Sequence, residues 1–177
     1  LIKTHEKQTW NQRKNHLYTA VYHMNRDEVV QLATKEVPDV QVVHHTGKTL
    51  GYSDLPYRKL RTWDGTYRDI YLVDMETGEM ETVLEKQRFR VQLSEGGYFT
   101  AWFDGTDWHL HNNRNGVQRN LTADLSVPFA DEDNDRPMPS GSYGIAGWTD
   151  NDRSVLIYDK YDIWQFDTES GDVLAVT

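Results

Sequence analysis

The stretch "VLIYDKYDIWQFDTESGD", Val155 to Asp172, alternates apolar and polar positions and pauses at Lys160-Tyr161-Asp162. It then alternates again and turns on Thr168-Glu169-Ser170-Gly171. A period of two over short runs bounded by turn residues predicts two strands of a hairpin and a second tight turn. Three other stretches share the pattern: "YLVDMETGEMETVL" around Gly78, "LHNNRNGVQRNLT" around Gly116 and "VYHMNRDEVVQLA" around Asp27. In each, an aromatic or apolar strand enters a short polar turn. Gly, or Asp in the first copy, holds the position that requires a positive φ. A second strand then ends on Leu32, Val83, Leu121 or Val176.

Further strands precede these hairpins. "FRVQL" turns on Ser94-Glu95-Gly96-Gly97 into "YFTAWF", and Asp104-Gly105 leads into "DWHLH". "YGIAGW" turns on Thr149 to Asp152 into "SVLIYD", and Lys160 leads into "YDIWQFD". The second copy is looser: "VQVVHH", "TLGYSD", a long connection, then "RDIYLVD". Four strands per unit, with anchors 51, 38 and 55 residues apart, match the period of a propeller blade. A sandwich also accommodates short strands with turn signals, but it does not require this self-similarity. The best helical candidate is the polar opening "THEKQTWNQRKN", which reads equally as strand and loop.

The expected fold is therefore an all-β propeller segment of three and a half to four blades, spanning about 1–36, 37–86, 87–124 and 143–177, with an inserted acidic loop at 125–142. Outer strands are expected near Glu28–Ala33, Glu79–Leu84, Val117–Thr122 and Asp172–Thr177. Too few residues precede His16 for a full first blade, and propellers close with about four to eight blades. An incomplete ring follows, as consecutive blades of a larger propeller. The opening Leu1, with no basic-then-apolar leader after it, reads as a piece of something longer or a processed product.

Composition narrows the function classes. Aromatic residues reach 12%, with six Trp and ten Tyr, which suits half-buried strands. The net charge of −9 argues against nucleic acid, whose binding relies on Lys and Arg neutralising phosphates. It argues equally against anionic membrane surfaces, and no run approaches the roughly 18 apolar residues of a membrane span. The absence of cysteine excludes disulfides, thiol catalysis and thiolate metal sites.

No catalytic residue is identified. The nucleophile elbow Gly-x-Ser-x-Gly is absent. Gly51-Tyr52-Ser53-Asp54-Leu55 lacks the second Gly, and Ser140-Gly141-Ser142-Tyr143-Gly144 is out of phase. Without a nucleophile, His and Asp residues form no triad. His109 and His111 share a strand face, but a zinc site needs a third ligand, and ordinary strand histidines are the better reading. His44 and His45 point to opposite faces if extended. No metal or cofactor is expected. Among the tryptophans, Trp102, Trp148 and Trp164 fit strands that fill the space between blades. Trp63, in the loop-like "RTWDGTY", is the candidate contact residue. Asn120-Leu121-Thr122 is a glycosylation sequon inside an expected strand.

The longest irregular stretch is Thr122 to Ser142. It carries Asp131, Glu132, Asp133 and Asp135, and loops beyond about 12–15 residues are uncommon unless functional or disordered. Asp131, Asp133 and Asp135 resemble the start of a calcium loop, but the required Gly and the distal ligand are missing. A solvated acidic excursion, partly neutralised by Arg136 and kept out of the sheets by Pro128, Pro137 and Pro139, is expected. The carboxylates are a candidate contact for a peptide amine.

Two stretches, Tyr52 to Glu79 and Pro137 to Asp167, resemble the β-propeller of the prolyl oligopeptidase and dipeptidyl peptidase IV family of serine peptidases. They look most similar to large secreted members of the Bacteroides group. "YGIAGW…LIYDKYDIWQ" is the particular part; the blade turns are generic. The resemblance implies a propeller that caps an α/β-hydrolase domain carrying a Ser-Asp-His triad and admits only short peptides or flexible ends. The implied partners are that C-terminal hydrolase domain of the parent chain and a peptide substrate. The implied location is periplasmic or extracellular. The paired glutamates that hold a substrate amine in the dipeptidyl peptidase branch have no counterpart here, since no Glu-Glu occurs. A propeller module independent of any peptidase, binding protein or glycan, is the competing expectation. Self-association of the open arc is also expected.

Overall fold

In a computed structural model, which describes Lys7, Trp10 and residues 14–42 and 47–177, the alternating runs form fourteen strands. β1 (Ala20–His23) and β2 (Glu28–Gln31) pair as a hairpin. β3 (Asp39–Gln41), β4 (Lys48–Ser53), β5 (Arg68–Asp74) and β6 (Met80–Gln87) form the second sheet as an antiparallel meander. β7 (Val91–Leu93), β8 (Phe99–Phe103), β9 (Trp108–Asn112) and β10 (Gln118–Asn120) form the third. β11 (Ile145–Trp148), β12 (Ser154–Tyr158), β13 (Ile163–Asp167) and β14 (Val173–Ala175) form the fourth. Among the described residues no ladder joins one sheet to another, and the chain is an all-β, unclosed propeller segment.

Period-two alternation explains how the sheets stack. On β5, Ile70 and Leu72 face the third sheet, packing with Val91, Leu93 and Trp102. Val73, beside them in sequence, faces the first hairpin and packs with Val30 and Leu32. On β8, Phe99, Ala101 and Phe103 turn the other way from Trp102, to meet Val155, Ile157 and Phe166 of the fourth sheet. Three apolar cores thus lie between four successive sheets. Each fully buried large side chain contributes about 1.5–3 kcal/mol. In the middle of β4, Gly51 is required by close approach: a Cβ there would meet Val37 Cγ1 at 2.8 Å.

The hairpins repeat one turn chemistry. Asp74 Oδ1 accepts from the backbone N–H of Glu76 and Thr77, and Asp167 Oδ1 from Glu169 and Ser170. Four residues after each, Gly78 and Gly171 take φ of 76° and 81°. Asn112 and Gly116 fill the same positions in the third sheet, and Asp27 takes φ 52° in the first. Such a backbone is strained for any residue with a Cβ.

The outer strands differ from the expected limits for local reasons. β6 runs on to Gln87 because Lys86, at φ 52°, forms a bulge pinned by Asp69 Oδ1. β10 ends at Asn120 because its Oδ1 accepts from Thr122 and Ala123 N–H and turns the chain. In the sequon, therefore, Asn120 serves as a turn cap. Leu32 and Ala33 leave the β2 ladder because both their N–H groups converge on Thr19 O. The polar opening is helical at Lys7, Trp10 and Lys14; most of it, with His44 and His45, lies outside the described residues.

The long segment before β11 is not a free excursion. Phe129 is fully buried, against Trp164 and Phe166 at 6.4 and 6.2 Å between ring centroids. A single bridge, Ala130 to Ser142, closes the base of a lobe whose tip carries the carboxylates. The cation that meets them is Lys160, 2.8 Å from Asp133, rather than Arg136. The expectation of a solvent-spread loop is corrected in this respect: one aromatic side chain anchors it to the core.

Candidate functional site

At the inner edge of the arc, a cleft of about 740 Å³ opens between the second and third sheets. Its walls are His16, Leu17 and Thr19 before the first hairpin, β3, Tyr52 of β4, Thr66, the start of β5 and the connection Gln87 to Val91. That volume falls in the range of ligand pockets, roughly 300–1,000 Å³. Among the described residues, the lining holds one carboxylate, Asp39, and three arginines, Arg68, Arg88 and Arg90.

The β5–β6 hairpin brings these arginines together. Arg68 begins β5 and pairs with Gln87 at the end of β6. Between them, the Lys86 bulge redirects the chain into Arg88-Phe89-Arg90, as bulges beside binding sites commonly do. Asp69 is buried and holds the bulge, accepting from Lys86 N at 2.9 Å and from Tyr57 Oη at 2.6 Å. Tyr57 comes from the first of two 3-10 turns, Leu55–Tyr57 and Leu60–Thr62, in the long β4–β5 connection. Burial, followed by the Asp69 hydrogen bond and charge, pushes the Tyr57 phenol up to about 12. Gln87 Nε2 donates to Phe103 O, and Phe89 packs edge-on against Phe103 at 5.3 Å. These two contacts fix the backbone that presents Arg88 and Arg90.

The arginines meet aromatic and neutral groups. Arg68 lies over the Tyr52 ring at 6.0 Å and Arg88 over Tyr67 at 5.8 Å. Arg88 Nη1 is 3.4 Å from Tyr67 Oη and 3.5 Å from Asp64 O. Burial pushes the Tyr52 phenol up, while the charges of Arg68 and Arg90 pull against it. None of the eight ion pairs among the described residues uses Arg68, Arg88 or Arg90. The cleft can therefore recognise an anion, and among the described residues no hydrogen bond on its lining pairs a hydroxyl with a histidine as nucleophile and base.

The residues singled out in the sequence lie elsewhere. Trp63 is 76% exposed on the connection that carries the 3-10 turns, its indole N–H donating to Lys59 O at 2.9 Å. Two residues on, a Cβ at Gly65 would meet the Arg88 guanidinium at 3.2 Å, and Thr66 of the same loop lines the cleft, so Trp63 sits beside the cleft without lining it. Asp131, Glu132, Asp133 and Asp135 sit on the lobe before β11. There Asp131 Oδ1 accepts from Asp133 N, and Asp133 pairs with Lys160. No hydrogen bond or ion pair among the described residues joins Trp63 to that lobe.

Ser53 is buried in β4 and donates to Glu36 O at 2.5 Å, while Ser142 closes the base of the lobe. Among the described residues neither hydroxyl bonds to a histidine. His109 and His111 share a face of β9 but have separate environments. His109 stacks on Trp102 at 5.2 Å and meets Asp104 Oδ2 at 2.7 Å. His111 is buried with Nδ1 unpartnered, and burial pushes its imidazole below the ordinary range against the charge of Glu81. Among the described residues, no three His, Asp or Glu side chains gather as a metal site.

The arginine cleft itself was missed at the sequence level, although a signal exists. Arg68 and Arg88 lie ten residues on either side of the Gly78 turn, so a hairpin centred there puts both at its far end.

No family model matches the chain, and no curated protein matches it in sequence. Solved structures similar to it include TolB from Acinetobacter baumannii, at 14% identity and a TM-score of 0.45, covering 89% of this chain and 37% of that one. A TolB-like protein from Agrobacterium tumefaciens shows 11% identity and a TM-score of 0.49, over 85% of this chain and 51% of that one. The acylaminoacyl peptidase of Pyrococcus horikoshii shows 11% identity and a TM-score of 0.43, over 78% of this chain and 24% of that one. The chain spans between about a quarter and a half of the length of these structures.

Proposed function

We propose that this chain is the non-catalytic propeller portion of a larger serine peptidase of the prolyl oligopeptidase type, working in the periplasm or outside the cell. It selects peptides at the propeller mouth and docks on an α/β-hydrolase domain. The observation that carries this reading is an open arc of blades whose edge presents a peptide-sized cleft lined by three arginines and by apolar and aromatic side chains. The resemblance of Pro137 to Asp167 to that family's propellers supports it. In this reading Trp63 and the carboxylates Asp131, Glu132, Asp133 and Asp135 line the approach to the mouth.

The test begins with the remainder of the reading frame. A Gly-x-Ser-x-Gly followed by Asp and then His is expected downstream. The full-length protein should then label with a fluorophosphonate, and this chain alone should not. Opening the propeller in the full-length protein should raise turnover of long peptides relative to short ones. A reading frame without a hydrolase domain would overturn the proposal and leave a propeller module that binds protein or glycan.

A further inference from the structure

We infer that the cleft between the second and third sheets takes a peptide carboxylate, C-terminal or side-chain, on Arg68, Arg88 and Arg90. This inference rests on the peptide-selecting role just proposed and names the chemistry that the same mouth selects.

Among the described residues, three arginines and one carboxylate, Asp39, line the cleft, in a chain whose net charge is −9. Elsewhere on the surface several arginines find acids: Arg26 meets Glu76, Arg58 meets Asp54 and Arg114 meets Glu169. Those in the cleft have no acid within ion-pair distance among the described residues. Clustered like charges repel, so leaving them unpaired favours an incoming anion.

The cluster is also held in place before any ligand arrives. Phe89 and Gln87 anchor the backbone on either side of Arg88, and Tyr67, Asp64 O and the Gly65 backbone confine its side chain. Preorganisation lowers the ordering cost of binding. Guanidinium groups match a carboxylate through two parallel hydrogen bonds, which a lysine does not do. Tyr52, Val40 and Ile70 line the same cleft and give an apolar wall for the residues that carry the carboxylate.

The experiment uses the 177-residue chain and one neutral hexapeptide in three forms: a free C-terminal acid, a C-terminal amide, and an amide with one internal Glu. Binding is measured by calorimetry at low salt, with inorganic phosphate as a fourth probe. The free acid or the Glu peptide should bind at least about tenfold more tightly than the plain amide, a difference of about 1.4 kcal/mol. Whichever of the two binds identifies the source of the carboxylate. Arg88→Gln and Arg90→Gln should each remove most of that preference, while Arg136→Gln on the lobe leaves it intact. Circular dichroism of each variant checks that the sheets persist. Equal affinity for acid and amide forms, binding of phosphate alone, no binding, or full preference in both cleft variants would overturn the inference. The readout needs no catalysis. A missing hydrolase domain would therefore sink the peptidase reading while leaving this binding result standing, and the reverse also holds.

Discussion

Asp152 shows how one side chain joins two blades. It is 1% exposed, yet its carboxylate accepts from Ser94 Oγ at 2.5 Å and from the backbone N–H of Gly96 and Tyr98. Those donors belong to the turn between β7 and β8, so the β11–β12 connection of the fourth sheet closes a turn of the third. Thr168 in turn donates to Asp152 O, and both Asn151 and Asp152 are held at positive φ. Replacing Asp152 by Ala orphans one buried donor, the Ser94 hydroxyl, and two part-buried ones, the Gly96 and Tyr98 N–H, and a buried orphan costs about 1–3 kcal/mol. Asp152→Ala should therefore cost about 3 kcal/mol, read as a fall in Tm of roughly 6–12 °C for a chain of this size. A change below about 2 °C would show that the turn finds other acceptors. Nothing in "TDNDRS" announces this role, because its partners lie more than fifty residues away.

At the scale of elements, the turns were legible and their capping was not. Gly78, Gly116 and Gly171 mark positive φ directly, since few residues tolerate it. The acceptors four residues earlier, Asp74, Asn112 and Asp167, are visible only once the turn geometry aims their side chains at the backbone. The Ser170 N–H leads in holding the Asp167 carboxyl below its ordinary range against burial, helped by the Glu169 N–H and the charge of Arg153. Lys48 leads in holding Asp74 low. A carboxyl depressed in the folded state contributes stability that is full above the unfolded value near pH 3.9, and is lost as pH falls through the folded value. Asp167→Asn keeps the acceptor, as Asn112 does in the third sheet, and removes the charge. It should lower stability at pH 7 by up to about 1 kcal/mol, a deficit that closes as pH falls and the wild-type carboxyl takes up its proton. A deficit of the same size at pH 7 and in acid would remove Asp167 from the acid limb. The lobe before β11 separates anchor from tip in the same way. Phe129→Ala should cost about 3–5 kcal/mol in urea unfolding and speed cleavage after Glu132, on the lobe, by a glutamate-specific protease. Neutralising Asp131, Glu132, Asp133 and Asp135 together should change stability by less than about 1 kcal/mol. The sequence marked the lobe by its length, prolines and acids, but the anchoring ring became visible only against Trp164 and Phe166 of another strand.

For the whole molecule, position in the stack decides what each strand exposes. β8, between two neighbouring sheets, is buried at every position, and β14 at the rim is exposed at every position. Among the described residues, the first hairpin and the fourth sheet each have one covered face. On the first, Val21 and Val30 turn inward while the paired Tyr22 and Val29 turn out, at 55% and 66% exposure. On the fourth, Val155, Ile157 and Phe166 are covered, and the register row Leu156, Gln165, Leu174 faces away from them. Period-two alternation predicted both faces of every strand but carried no signal for which faces lack a neighbour, because that depends on ring closure. Uncovered apolar faces of this kind favour a partner. The isolated chain is therefore expected to self-associate through its two terminal sheets. Its net charge of −9 opposes this, so the direction of the salt effect is diagnostic. Screening weakens repulsion between copies, and sedimentation should show the average mass rising with both protein concentration and salt. Carboxylate capture in the arginine cleft should weaken over the same salt range, which separates the two events in one sample. Val29→Lys with Leu174→Lys should return the chain to monomer at all salt concentrations. A wild-type chain that sediments as a single monomer at high concentration and high salt would show that the terminal faces are stable in water.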